Sequence, residues 1–117
     1  MLLEREKIPA YDPVRRLAAL QAQVPSPPYV GLWTRVRGFV RDGLTDHIED
    51  RRVVRSSMMR ATPHLTTAED YSLLRLALQA ALDSSLRSIA GKRLEGLDLQ
   101  RLLSEARTMV EEAPRTA

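Results

Sequence analysis

The chain has 117 residues, 44% of them apolar, no cysteine and a formal net charge of +3. That length suits a domain able to fold without staples, and the lack of cysteine excludes a disulfide framework and a thiolate zinc site, pointing to a reducing compartment, the cytoplasm. No stretch approaches the roughly 20 apolar residues that cross a bilayer, and Met1 to Lys7 carries charges where a secretion leader would be apolar, so neither membrane insertion nor secretion is expected.

Asp12 before Pro13 reads as a helix cap and first helical position, opening a short helix through Val14, Leu17 and Leu20 and as far as Gln21. Pro25, Pro27 and Pro28 forbid its continuation, so it should stop near Gln23. Pro28 can start a second helix with Tyr29, Leu32, Trp33 and Val36 on one face, ended by Gly38. A third helix is predicted from about Gly43 to Arg51, with Leu44 and Ile48 inward and Asp46, His47, Glu49 and Asp50 outward. Val53 and Val54, then Met58, Met59 and Leu65, suggest two short strands, with bends near Ser56-Ser57 or Thr62-Pro63.

Thr66-Thr67-Ala68-Glu69 has the form of a capping box, opening a long helix with Tyr71, Leu74, Leu78, Leu82, Leu86 and Ile89 at steps of three or four. Gly91 and Gly96 bracket a turn, and Asp98 caps a last helix with Leu99, Leu102, Leu103, Ala106, Met109 and Val110 on its apolar side. The expected fold is mainly α with a small β-hairpin: a winged helix-turn-helix, then a long helix and a C-terminal helix.

Leu20-Gln21-Ala22-Gln23, the segment Tyr29-Val30-Gly31-Leu32-Trp33-Thr34-Arg35 and the run Met59-Arg60-Ala61-Thr62-Pro63-His64-Leu65, in this order, resemble the winged-helix DNA glycosylases of the AlkZ and YcaQ type. The resemblance runs from about Leu2 to the last residue. It implies that 1–66 is a winged-helix unit lacking its first helix, 67–90 a long packing helix, and 97–113 a helix beginning a second, missing winged-helix unit. Ala61 stands where the family's R-G-T-x-H-L run has glycine, and Pro63 precedes the histidine.

In that family a Q-x-Q or Q-x-D motif carries catalysis, which makes Gln21 and Gln23 the candidate catalytic residues. An N7-alkylated purine is cationic and already a good leaving group, so aligned amides that place a water suffice in principle. Within a helix the two side chains would point about 200° apart, so they converge only where the chain leaves helical geometry. The bland alternative is a solvated pair at a helix end.

Arg51, Arg52, Arg55, Arg60 and His64 lie on or beside the hairpin and are the candidate DNA-binding residues. Only Lys7 and Lys92 among the 18 basic residues are not arginine. The arginine fork suits phosphate, although a GC-rich genome raises arginine use in the same way. His64 either orients a phosphate or water or serves a structural hydrogen bond; Trp33 and Tyr29 either stack on a base or pack in the core. The acids of the third helix disfavour deep insertion into a major groove. Two distant histidines give no metal spacing, and no cofactor is expected.

The expected function is the DNA-binding winged-helix portion of a glycosylase that excises N7-alkylated purines from double-stranded DNA, inactive as a fragment alone. The rival readings are a non-catalytic regulatory winged helix and a truncated remnant that self-associates through its C-terminal helix.

Overall fold

A three-stranded antiparallel sheet with three short helices forms the first part of the chain. The computed structural model describes residues 4–113. Its elements run α1 (Tyr11–Arg16), β1 (Leu20–Gln21), α2 (Pro27–Trp33), α3 (Asp42–Glu49), β2 (Val53–Ser57), β3 (Pro63–Thr67), α4 (Ala68–Leu94) and α5 (Leu99–Glu112). The sheet order is β1-β3-β2, and α1-β1-α2-α3-β2-β3 is the element order of a winged helix. The chain divides into two units, Met1–Ser85 and Leu86–Ala117, with the division inside α4.

The first unit is built on one small core. Val14 of α1, Leu32 of α2, Leu44 of α3, Val53 of β2, Leu65 of β3 and Ala22 just after β1 form a single buried cluster. Burial of each leucine contributes about 1.5–3 kcal/mol. Thus every short element contributes at least one residue that it cannot bury alone.

The largest departure from the sequence expectation is β1. The helix read through Leu20 and Gln21 ends at Arg16, and Ala18 turns the chain with a left-handed φ of 60°. Leu20 then pairs with Leu65, and Gln21 with His64. Thr66, fully buried on β3, donates its hydroxyl to the Ala18 carbonyl at 2.7 Å and fixes that turn. The prolines after Gln23 therefore start α2 and do not end α1.

Elsewhere the differences are smaller. The bend between β2 and β3 is the turn Met59–Ala61, with both Arg60 and Ala61 left-handed at φ 54°. Pro63 occupies the first position of its strand, where a missing amide proton is tolerated. The α4 cap is one residue later than the box read from sequence: Thr67 Oγ1 donates to Asp70 Oδ2 at 2.7 Å and accepts from the Asp70 amide at 3.1 Å. Helix α4 runs on through Gly91, because a helical glycine costs only about 1 kcal/mol, and the stop comes at left-handed Gly96. Tyr71, Leu74, Leu78 and Leu82 are half-buried, whereas Leu86 and Ile89 of the same predicted face are exposed.

In the second unit, Asp98 accepts the Arg101 amide at 3.1 Å, the cap expected for α5. All residues of α5 are exposed, its apolar stripe included. Among the described residues, no helix is long and apolar enough to cross a membrane.

Candidate functional site

Extended chain has a side-chain period of two, so Gln21 and Gln23 share a face while Ala22 between them turns into the core. Both glutamines are exposed and Ala22 is 1% exposed. The Gln21 amide nitrogen donates to Gln23 Oε1 at 3.3 Å. The two carboxamides thus meet, by way of a strand and not by way of a frayed helix. With that bond made, Gln21 Oε1 remains as an acceptor and the Gln23 amide group as a donor.

Three interactions hold this segment in place. The Ala22 amide donates to the Pro63 carbonyl at 2.8 Å, continuing the β1 to β3 pairing. Arg55 reaches across from β2, with Nε donating to the Ala22 carbonyl at 2.9 Å and Nη2 to that of Gln23 at 3.4 Å. Thr66 secures the preceding turn, as described above. Arg55, read from sequence as a DNA contact, is therefore also a clamp on the glutamine backbone.

His64 is directly opposite Gln21 in the strand register, and Ser56 is opposite His64 on the other side. Directly opposed residues lie on one face with Cβ atoms about 5 Å apart, so the register sets the imidazole beside Gln21. The ring is 6% exposed, and its Nδ1 is 2.7 Å from the Thr62 carbonyl. A carbonyl only accepts, so Nδ1 carries a proton, and in the neutral ring Nε2 is the acceptor.

The other basic candidates are spread around the sheet. Arg51 (φ 58°) and Arg60 (φ 54°) are exposed at the turns into β2 and β3, and neither makes a side-chain hydrogen bond among the described residues. Arg52 is exposed and stacks its guanidinium over the Tyr11 ring, 4.6 Å from the centroid. On α3, Asp46, Glu49 and Asp50 are exposed, so this helix presents acids to solvent.

The Gly-Leu-Trp-x-Arg segment has two separate roles. Leu32 is fully buried, and Arg35 Nη1 folds back to the Gly31 carbonyl at 2.7 Å, satisfying a free carbonyl near the end of α2. Trp33 is not a core residue: it is 57% exposed, with Arg5 over its ring at 5.1 Å. Tyr29 is half-buried against the core and its hydroxyl lies 3.2 Å from Thr45 Oγ1. Ala18, Thr66 and the bracing role of Arg55 escaped the sequence reading, since their partners are remote in sequence and no local pattern marks them.

The family model for DNA glycosylase AlkZ-like proteins matches residues 14–117. Among solved structures, the Streptomyces sahachiroi DNA glycosylase AlkZ is similar at 30% identity with a TM-score of 0.52, over 56% of this chain and 18% of that one. This chain therefore spans less than a fifth of that relative's length. No curated protein matches it. Since the family model takes in the glutamine pair, the sheet and both long helices, the chain belongs to the AlkZ-like DNA glycosylase family.

Proposed function

We propose that this chain is the DNA-binding winged-helix portion of a glycosylase that excises N7-alkylated purines from double-stranded DNA, with Gln21 and Gln23 placing the attacking water. The observation that carries the reading is the contact between two exposed carboxamides, braced from the sheet side by Arg55 and faced by His64. Gln21 Oε1 accepts a hydrogen bond from the water and so turns the water's oxygen lone pair toward the anomeric carbon. The carbon to N9 bond breaks with its electron pair going to N9, where it neutralises the alkylated ring; the water oxygen bonds to C1′ and its proton leaves to solvent. The His64 Nε2 acceptor lies on the same face and helps orient that water. Amide dipoles fixed beforehand toward the developing positive charge need no reorganisation.

Arg51 and Arg60 are the phosphate contacts on this reading, with Arg52 joining them if it leaves the Tyr11 ring. Arg55 acts mainly through the glutamine backbone. Residues 97–113 would open a second winged-helix unit, and the exposed stripe of α5 is the face such a unit, or a second copy, would cover. The acidic surface of α3 argues against a purely regulatory, groove-reading winged helix.

The test is release of 7-methylguanine from a duplex oligonucleotide by this chain alone and by a longer protein in which it is joined to the remaining units of a relative. We expect no release by the chain alone and release by the joined protein. Gln21→Ala and Gln23→Ala should each slow the joined protein about 100-fold. Equal release after both substitutions, or a joined protein that binds the duplex and releases nothing, would sink the proposal.

A further inference from the structure

Unused by the reaction above is an open cavity of about 500 Å³, lined by Pro25, Tyr29, Val30, Trp33, Phe39 and Arg41 among others. Pro25 is two residues beyond Gln23, a span of at most about 7 Å of chain. We infer that this cavity is a stacking site for one unpaired nucleobase of a DNA strand, an inference that rests on the DNA-directed reading of the chain.

Three observations favour that occupant. First, the lining is aromatic: Tyr29 and Phe39 pack partly on the core, and Tyr29 is anchored through Thr45. Trp33 and Val30 nevertheless stay 57% and 58% exposed, an apolar surface that water solvates poorly and that a ligand would cover. Second, the charges are of one sign. Arg41 stacks over Tyr29 at 5.4 Å and Arg5 over Trp33 at 5.1 Å, and among the described residues no acidic side chain lines the cavity. Aromatic faces interleaved with arginine suit a base on an anionic backbone; an apolar peptide gains nothing from the two guanidinium groups. Third, the volume is within the range of small-molecule pockets, ample for one planar base.

Trp33 is the single tryptophan, so its fluorescence reports on this cavity alone. The probes are a nine-nucleotide oligothymidylate and an oligomer of the same length and charge whose sugars carry no bases. The expected result is quenching of Trp33 by the base-bearing strand and binding at least about tenfold tighter than to the abasic one, given about 1–3 kcal/mol per stacked base. Trp33→Ala, read by anisotropy of a labelled strand, should abolish the preference and leave abasic binding unchanged; Trp33→Phe should retain it, which separates lost stacking from misfolding. Equal affinity for the two strands would overturn the inference, as would unaltered Trp33 emission. Saturation of the cavity by an amphipathic peptide that the strand cannot displace would do the same. Binding is measured without any reaction, so these outcomes are independent of Gln21→Ala and Gln23→Ala. If the strands are not distinguished while base release still depends on the glutamines, the cavity alone has been misread.

Discussion

The two units use their leucines in opposite ways. In the first, Leu32 and Leu44 are sealed completely, and a sheet of only twelve residues draws three helices onto one core. In the second, Leu102, Leu103, Met109 and Val110 are 48% to 68% exposed, and α5 is held by local devices: the Asp98 cap and the ion pairs Arg101–Glu105 and Arg107–Glu111, both 2.8 Å. Such surface pairs contribute only about 0.3–0.5 kcal/mol each, and an isolated helix of 14 residues is marginal in water. The first unit thus has a tertiary reason to fold. The second has an amphipathic pattern whose apolar side is largely exposed.

The largest effect that would sharpen this contrast is a pair of leucine truncations. Leu32→Ala should cost about 2–5 kcal/mol in chemical denaturation, because it opens a void among Val14, Leu44 and Leu65, whereas Leu103→Ala should change stability by less than about 0.5 kcal/mol. Similar losses at the two positions would mean that α5 is covered in solution. Next in size is Thr66→Val. It preserves shape but removes the hydroxyl that holds the Ala18 carbonyl; Ala18 is exposed, so water can replace the lost donor and the cost should be about 0.5–1.5 kcal/mol. Because that turn sets the start of β1, amide exchange at Leu20 and Ala22 should rise more than at β2. Uniform loss across the sheet would show that Thr66 serves the core in general and not the glutamine segment.

What the sequence reveals follows the range of the interaction that specifies it. Helices α2 and α3, the hairpin, α4 and the Asp98 cap are each written in a local spacing or cap, although α2 ends at Trp33, short of Gly38, and leaves Val36 outside the helix. Strand β1 is different. Leu17 and Leu20 are three apart and imitate a helix, and only pairing with Leu65 and His64, far along the chain, makes the segment a strand. The glutamine motif was legible as a motif, but its geometry was not: the prolines after Gln23 looked like the cause of convergence, and the cause is the turn at Ala18. Likewise the apolar spacing of α2 could not separate Leu32, which is buried, from Trp33, which is open beside Phe39 and Arg41 from the following loop.

The smallest expected effect tests backbone conformation in both units with opposite substitutions. Ala61 holds φ 54° at the tip of the hairpin, a region that disfavours an L-residue by about 1–2 kcal/mol. Ala61→Gly relieves this but gives the unfolded chain more freedom, so the net gain should be only several tenths to about 1 kcal/mol, seen as a higher denaturation midpoint. Gly91 is the converse case: it sits inside α4 with nothing within 4 Å of an added Cβ, so Gly91→Ala should raise helix content without strain, by up to about 1 kcal/mol locally. Since Gly91 belongs to the unit without a core, its gain should appear as helicity and slower amide exchange near Lys92 and Arg93, and the global midpoint should stay put. A midpoint that moves with Gly91→Ala as much as with Ala61→Gly would show that the two units melt together, and the difference drawn between them would then be one of exposure only, not of stability.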